Sequence, residues 1–209
     1  MKIPHHLIAV TALACAASPA WSQAMNPWVG PAAGLAVQSQ TVKTDYTSSV
    51  GSINGQSTSA SESAVSLIGS WGFALSEQWV ATLGLSYGLS KTDISQFTYT
   101  FNGTQRVTAQ AKEHLALSIA PGYRLHPQAL VYAKLGYHQL TAEYTDTATS
   151  RSSIDFSGMG YGVGASLALG PQYQFRVEYE TVRYGSKSAA LTTAEPTQKL
   201  LSLALLYKF

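Results

Sequence analysis

Hydrophobic and polar side chains alternate with a period of two along most of this chain. Residues 198–209 show the pattern most clearly, with apolar or aromatic side chains at every second position: Phe209, Tyr207, Leu205, Leu203 and Leu201. Successive side chains of a β-strand point to opposite faces, so this spacing predicts a strand with one strongly apolar face. No later sequence is present to bury that face, and we interpret it as a surface that lipid covers.

The same alternation recurs in earlier segments and predicts an all-β chain of eight strands. The predicted strands cover approximately 29–42, 63–75, 79–90, 112–125, 131–138, 158–169, 173–180 and 198–209. Their short connections are 76–78, 126–128 and 170–172, and their long polar connections are 43–62, 91–111, 141–153 and 184–197. Short and long connections alternate along the chain, as expected if the two ends of a barrel carry connections of different length.

The chain after residue 24 has no apolar run of the length that a transmembrane helix requires, about 20 residues. A closed β-barrel is the other structure that satisfies every main-chain polar group in lipid. The predicted fold is therefore an eight-stranded antiparallel transmembrane β-barrel, with short turns at one end and long loops at the other.

The first 24 residues are typical of a secretory signal peptide. They contain a basic residue, Lys2, an apolar run over 7–17 and the small-residue cleavage pattern Ser22-Gln23-Ala24. The predicted barrel domain is then 25–209. Cys15 offers a lipoprotein alternative, which we disfavour because cleavage there would leave too short an apolar region. Removing the signal removes the single cysteine, so disulfides cannot hold the exported chain together.

Charge and composition exclude several functions. Without Lys2, the 13 basic residues become 12 against 11 acidic ones, which is not the basic surface of a nucleic-acid-binding protein. The sequence has neither a Cys/His cluster nor an acidic loop with ligand spacing. We therefore expect no metal, no cofactor and no nucleic-acid partner.

Charged and histidine side chains on the inward face of the predicted barrel form the main candidate site. Eight strands leave an interior just wide enough for side chains to fill. Unpaired buried charges are costly, so these residues should form ion pairs in a plugged lumen. The alternative is a narrow porin-like channel. The predicted polar network comprises Lys112, His114, Arg124, Lys134, His138, Arg176, Glu178, Glu180 and Lys208.

Aromatic residues flank the predicted short turns. Aromatic rings are enriched at the boundary between water and lipid, so these residues should form a girdle around that end of the barrel. The predicted girdle comprises Trp71, Phe73, Trp79, Tyr123, Tyr173, Phe175, Tyr207 and Phe209. Tyr87, Tyr137 and Tyr179 occupy outward positions further along their strands and could form a second girdle.

The alternation of the third strand continues beyond a membrane-spanning length through Phe97, Tyr99 and Phe101 to Asn102-Gly103. Asn-Gly is the strongest two-residue signal for a β-hairpin. The third and fourth strands should therefore project as a hairpin, and these three aromatic residues are candidate contacts for a partner. The alternative is that the long loops only shield the barrel.

Several motifs carry a resemblance to known proteins across nearly the whole chain after residue 24. They are Pro121-Gly122-Tyr123-Arg124-Leu125, Val131-Tyr132-Ala133-Lys134-Leu135-Gly136-Tyr137, Gly160-Tyr161-Gly162-Val163-Gly164, Arg176-Val177-Glu178-Tyr179-Glu180 and Tyr207-Lys208-Phe209. In order and spacing they resemble the small outer-membrane β-barrel families, namely OmpA-like barrels, the OmpX/Ail group and opacity-type porins.

This resemblance implies a location and partners. It implies the outer membrane of a Gram-negative bacterium, with short periplasmic turns, long extracellular loops, and lipid and lipopolysaccharide around the wall. Tyr207 and Phe209 resemble the terminal signal that the barrel-assembly machinery recognises. The resemblance also implies a monomer whose loops serve adhesion or contact host and surface proteins. Because the chain stops at the last strand, we expect no peptidoglycan-binding domain.

An enzyme is the remaining alternative, because lipid A deacylases and palmitoyl transferases also use eight-stranded barrels. The His-x-Ser motif of the deacylases is missing after each histidine of the barrel. His138 with Glu143 is the nearest approach to a base with an orienting carboxylate, and the sequence places no serine beside them. We therefore expect no enzymatic activity.

Overall fold

A computed structural model describes residues 26–48, 57–100, 104–146, 152–189 and 192–209 of the chain. The predicted signal peptide, Phe101 and the Asn102-Gly103 hairpin tip lie outside these residues. None of the residues in these ranges belongs to a helix long and apolar enough to cross a membrane.

The described residues form a single β-sheet. Its strands are β1 (Gly30–Ser48), β2 (Ser57–Ala74), β3 (Trp79–Gly88), β4 (Thr92–Thr100), β5 (Thr104–His126), β6 (Ala129–Asp146), β7 (Ser152–Ala168), β8 (Tyr173–Tyr184), β9 (Lys187–Ala189) and β10 (Thr192–Lys208). Each strand pairs antiparallel with its neighbours, and β10 pairs with β1, which closes the sheet. β4 pairs with β5 above β3, and β9 pairs with β10 above β8, so each of these two strands extends one of the eight strands of the wall. The predicted eight-stranded barrel is confirmed.

Strand register fixes the tilt of the wall. Paired residues followed around the barrel from Pro31 lead back to β1 at Thr41, ten residues further along. For eight strands, a stagger of this size corresponds to a tilt of roughly 40° from the barrel axis. Each residue along a strand then rises by about 2.5 Å, and each step to the next strand by about 3 Å. The register therefore gives the position of every paired residue along the barrel axis. We call this position its height and measure it from Pro31 toward the long-hairpin end.

Hydrophobic side chains lie outside this barrel and polar ones inside. On β10, Leu203 and Leu205 are about half exposed, whereas their inward neighbours Ser202 and Leu206 are buried. Leucines, valines and tyrosines at the outward positions of the other strands are exposed in the same way. An apolar surface of this extent on all sides needs a hydrocarbon solvent.

Aromatic side chains ring the short-turn end. All eight residues of the predicted girdle occupy outward positions there, within about 5 Å of the height of Pro31. Some of them contact one another edge to face: Trp79 lies 5.3 Å from Tyr123, and Tyr207 lies 5.6 Å from Tyr173 and 5.1 Å from Phe209, measured between ring centroids. The contacts of Trp79 with Tyr123 and of Tyr207 with Tyr173 join neighbouring strands, whereas that of Tyr207 with Phe209 lies at the end of β10.

A second ring of tyrosines lies at one height, about 16 Å above Pro31. It contains the predicted Tyr87, Tyr137 and Tyr179 and also Tyr161, each 44–50% exposed. We call these four residues the tyrosine belt. With the residues just above it, the belt closes an apolar band close to the ~25 Å typical of outer-membrane barrels.

The segments predicted as long polar loops are largely strand. β1 and β2 remain paired to Asp45 and Ser57, and β6 and β7 to Tyr144 and Ser152. Serine and threonine have little apolar surface to reveal a strand, but they support a ladder because a partner strand satisfies their main chain. The described parts of the predicted loops 43–62 and 141–153 are therefore strands that continue the wall.

The third strand is interrupted where it was predicted to run on. β3 ends at Gly88, and β4 resumes at Thr92 with a register shift between Asp93 and Ser95. The hydroxyl of Ser90 accepts the hydrogen bond of the Val65 main-chain NH at 3.0 Å, so a side chain replaces the ladder there. The predicted hairpin is nevertheless present, since β4 pairs with β5 up to Thr100 and Thr104.

The wall divides above this break. Within the described ranges, β4 pairs with β5 and β9 with β10, while the ladders of β2 with β3 and of β7 with β8 stop at Ser66 and Gly158. Two seams result, one between β2 and β4 and the other between β7 and β9. Beyond the tyrosine belt the wall consists of two four-stranded sheets, β9-β10-β1-β2 and β4-β5-β6-β7.

A charge placed on the apolar band should destabilise the barrel according to its height. Leu203→Arg, near the middle of the band, should reduce the free energy of unfolding by about 2–4 kcal/mol. Thr197→Arg, on the same strand and face but above the band, should reduce it by about 0–1 kcal/mol. Urea unfolding in lipid vesicles, followed by heat-modifiable gel mobility, measures both. Equal losses at the two positions would mean that lipid does not surround the band.

Candidate functional site

A buried ion-pair network occupies the middle of the barrel. Lys134 on β6 contacts two carboxylates of β8: its Nζ lies 2.8 Å from Glu178 Oε2 and 2.9 Å from Glu180 Oε2. The side chains of these three residues are at most 15% exposed. Because one ammonium bridges two carboxylates, the network ties β6 to β8 across the strand between them.

Glycines on β7 make this contact possible. β7 lies between β6 and β8, and its inward positions here are Gly160, Gly162 and Gly164. A Cβ on Gly160 would lie 2.4 Å from Glu180 Oε1, and one on Gly164 would lie 2.3 Å from the Tyr132 ring. Because these positions of β7 carry no side chain, Glu180 and Tyr132 of the neighbouring strands occupy the space there.

Two histidines extend the network toward the long-hairpin end. His138 Nε2 lies 2.8 Å from Glu180 Oε1, and His138 Nδ1 lies 3.0 Å from His114 Nε2. Because a carboxylate only accepts, a neutral His138 donates from Nε2 to Glu180, and its Nδ1 then accepts from His114 Nε2.

Tyr132 and Arg176 complete the network toward the short-turn end. The Tyr132 hydroxyl donates to Glu178 Oε1 at 2.7 Å, and Arg176 Nη1 lies 3.9 Å from the same oxygen. The Arg176 guanidinium also lies over the Tyr132 ring at 6.0 Å. With Lys134 and Arg176 against Glu178 and Glu180, the formal charges of the network cancel.

Apolar layers close the network on both sides. Toward the short turns lie Trp28, Val80, Ala120, Leu130, Tyr132 and Ala168. Toward the long hairpins lie Val42, Leu140, Ala142, Phe156, Val182, Tyr184 and Leu200. Two voids in the described part of the lumen, one beside Lys134 and the other beside Trp28, measure about 20 and 10 Å³, and a cavity of that size holds about one water. Side chains therefore occupy the described part of the lumen between the two layers.

The segment before β1 caps the short-turn mouth. Trp28 is 5% exposed, and its indole NH donates to the carbonyl of Pro127 in the β5–β6 turn at 3.2 Å. The side chains of Lys208 and Gln174 donate to the carbonyls of Asn26 and Pro27. Hydrogen bonds to three different parts of the chain, at Pro127, Gln174 and Lys208, therefore hold this segment in the barrel mouth.

Not every residue of the predicted network belongs to it. Arg124 donates to the carbonyl of Glu77 in the β2–β3 turn at 2.8 Å, and Lys208 binds Asn26. Both are inward by alternation but lie at the short-turn mouth, about 10 Å or more below Lys134. The side chain of Lys112 lies outside the described residues. The carboxylate that orients His138 is Glu180 rather than Glu143.

Neutral residues missing from the prediction also form hydrogen bonds inside the lumen, between neighbouring strands. The Ser66 hydroxyl donates to Gln38 Oε1 at 2.9 Å. The Tyr184 hydroxyl donates to Gln198 Oε1, and Gln198 Nε2 donates to Gln40 Oε1, both at 2.6 Å. Their inward alternation was a signal in the sequence, but a prediction based on charged and histidine residues alone does not include them. The predicted network omits Tyr132 for the same reason.

The contacts of this site are ion pairs and hydrogen bonds between strands. Within the described residues, no group of three His, Cys, Asp or Glu side chains could hold a metal ion. The Glu180–His138–His114 sequence resembles a general base with its orienting carboxylate, but apolar layers separate it from both mouths. What the arrangement can do is hold β5, β6 and β8 at fixed distances across the barrel.

Comparisons with known proteins agree with this architecture. A family model described as the outer membrane protein β-barrel domain matches residues 7–209. Similar solved structures include Ail of Yersinia pestis in complex with the heparin analogue sucrose octasulfate, at 12% identity over 87% of this chain and 100% of that one, with a TM-score of 0.48. Another is Neisserial surface protein A, at 16% identity over 84% and 97%, with a TM-score of 0.47.

The outer membrane protease OmpT of Escherichia coli is also similar, at 11% identity over 86% of this chain and 96% of that one, with a TM-score of 0.47. No curated protein matches the sequence of this chain.

Removing the shared lysine should destabilise the barrel strongly. Lys134→Met leaves Glu178 and Glu180 facing each other without an ammonium, which should reduce the free energy of unfolding by about 3–5 kcal/mol. Lys134→Met with Glu180→Gln should lose less than the two single changes together, because the carboxylate is neutralised as well. Arg124→Met, at the mouth, should lose about 1 kcal/mol. Urea unfolding measures all four variants, and strictly additive losses would contradict the pairing.

Proposed function

This chain belongs to the outer membrane protein β-barrel family, and from that premise we propose that it is a closed, non-conducting surface protein that acts through its extracellular hairpins. The family places it in the Gram-negative outer membrane. The observation that carries the proposal is the filled lumen. Lys134, Glu178 and Glu180 occupy its middle, and apolar layers occupy both of its ends.

The proposed orientation puts the short turns in the periplasm and the long hairpins outside the cell. In this orientation, residues 1–24 are a signal peptide that is removed on export, and the N-terminal sequence of the membrane-inserted chain tests this. The barrel-assembly machinery would recognise the end of β10, where Tyr207 and Phe209 are exposed on the outer face. We propose a monomer, because the wall is closed by its own first and last strands.

The proposed contact surface is the β4–β5 hairpin. β4 pairs with β5 on one side, and within the described residues its other edge has no ladder. An unpaired strand edge offers main-chain donors and acceptors to an extended segment of another protein. Phe97 and Tyr99 alternate along this strand with Phe101 beyond it. The hairpin combines an edge without a ladder, which faces β2, with aromatic residues in its sequence, and this supports a role in adhesion or host contact.

The two alternatives are less well supported. A pore requires a continuous water path, whereas the voids found in the lumen each hold about one water. A lipid-modifying enzyme requires its base and nucleophile to face the substrate. His138 is 1% exposed and is enclosed with Glu180. We therefore propose a non-enzymatic role.

Electrical recording tests the closed lumen. The purified wild-type protein in planar bilayers should give no large, stable conductance steps, because the lumen is filled along its length. A triple variant with Lys134, Glu178 and Glu180 all changed to Ala, shown to be folded by gel mobility, should conduct. Large stable steps from the wild-type monomer would disprove the closed lumen.

Shortening the hairpin tests the contact surface. Replacing residues 96–108 by Asn-Gly joins the paired Ser95 and Ala109 through a favoured two-residue turn. Bacteria with this variant should lose most of their attachment to host cells and serum proteins, at unchanged surface expression. Phe97→Ser with Tyr99→Ser keeps the length of the hairpin and separates the rings from the strand edge. Full attachment without the hairpin would exclude it as the contact surface.

A further inference from the structure

The seam between β7 and β9 opens into a slot. The ladder of β7 with β8 ends at Gly158, and the last hydrogen bond across it runs from the Gly185 main-chain NH to the Ser157 carbonyl at 2.9 Å. Beyond this bond β9 stays paired with β10, and β7 stays paired with β6. Few Cα atoms of β7 and β9 lie within 8 Å of each other, whereas strands in a ladder are about 4.8 Å apart. We call the space between 152–157 of β7 and 187–189 of β9 the slot.

The edge of β7 that faces the slot carries main-chain groups without a ladder partner in the described part of the chain. Every second residue of an antiparallel strand directs its NH and its carbonyl to the same neighbour. Ser157 directs its carbonyl to the β8 side, so Asp155 and Ser153 direct their NH and carbonyl groups into the slot. This edge lies about 10–20 Å above the tyrosine belt, where water rather than lipid is the solvent.

A groove opens beside this edge. It encloses about 560 Å³, which is within the range of ~300–1,000 Å³ typical of ligand sites. Outward polar side chains of β6 and β7 line it, among them Gln139 and Ser157. Leu140 and Phe156, which belong to the apolar layer inside the barrel, also line it. A strand added here would present alternate side chains to these two faces. The groove therefore suits a segment that alternates polar and apolar residues.

Two opposite charges flank the groove. Asp155 of β7 and Lys187 of β9 both line it, and both side chains are exposed. The Thr141 hydroxyl donates to Asp155 Oδ1 at 2.8 Å, which orients the carboxylate. Neither charge forms an ion pair with another described side chain. Opposite charges on adjacent strands attract, so the polar face of a partner should carry a cation for Asp155 and an anion for Lys187.

We propose that the slot binds an extended segment of another protein, which pairs with β7 as an additional strand. Main-chain hydrogen bonds to Ser153 and Asp155 would supply affinity, and alternate side chains in the groove would supply specificity. A sugar or a lipid would use the groove alone, whereas an extended polypeptide uses the groove and the edge together. The slot is separate from the β4–β5 hairpin, so this second site goes beyond the contact surface proposed above.

A synthetic peptide tests the pairing with β7. The probe is a fluorescent nine-residue peptide that alternates valine with lysine and glutamate, and fluorescence anisotropy measures its binding to the purified protein in detergent. Two analogues carry N-methyl groups on complementary halves of their main-chain nitrogens. Because pairing with one edge uses only alternate NH groups, one analogue should bind at least tenfold more weakly than the other.

Variants locate the site, with folding checked by heat-modifiable gel mobility. Asp155→Pro removes the NH that points into the slot and keeps the pairing with β6, because an open strand edge tolerates proline. It should weaken binding of the unmethylated peptide at least tenfold. Asp155→Asn keeps this NH and should weaken binding less than threefold. The variant with residues 96–108 replaced by Asn-Gly should bind as the wild type does.

Several results would overturn the proposal. Absence of binding by the unmethylated peptide, or equal affinities of the two analogues, excludes strand pairing in the slot. Unchanged binding by folded Asp155→Pro excludes the edge of β7, and loss of binding in the shortened hairpin variant assigns the peptide to β4. A wild-type dimer in native mass spectrometry that Asp155→Pro dissociates would place a second copy of this chain in the slot. The attachment of bacteria tests the proposed surface function separately, so the two failures remain distinguishable.

Discussion

The antiparallel ladder between β1 and β10 is the interaction on which the rest of this structure depends. It runs from Ala32 paired with Lys208 to Ser48 paired with Thr192. In hydrocarbon an unpaired main-chain NH or carbonyl costs several kcal/mol, so a sheet with two free edges could not remain in the bilayer. Joining the first strand to the last removes both edges at the height of the membrane. The seams between β2 and β4 and between β7 and β9 occur above the tyrosine belt, where water can satisfy the main chain.

Closure also decides how the interior is built. Eight strands staggered by ten residues enclose a space that side chains can fill, and alternation sends polar residues into it. Charges in that space require partners, and here one lysine serves two glutamates while Arg176 and Tyr132 bind Glu178. The glycines of β7 provide the room. A lumen of this kind stabilises the barrel, and it supports the proposal that the molecule acts through its outer surfaces.

Alternation in the sequence predicted the strands and the direction of their side chains, because a period of two is the geometry of a strand. It could not predict height. Lys134, Arg124 and Lys208 are all inward by alternation, yet only Lys134 reaches the glutamates, since height depends on the stagger between strands. Tyr161 joins the tyrosine belt for the same reason. The polar segments 43–62 and 141–153 were predicted as loops because the positions of serine and threonine do not indicate whether a partner strand is present.

The position of the seams also decides which main-chain groups can meet water. Below them the wall is closed, and its outward side chains are apolar, so hydrocarbon is the solvent on that part of the surface. Above them, within the described residues, the edge of β4 that faces β2 has no ladder. A partner that adds a strand at this edge competes with water for main-chain groups, and it arrives from solution rather than from the lipid. The same closure that makes the membrane-spanning wall inert to other chains therefore leaves strand pairing possible only where the wall divides.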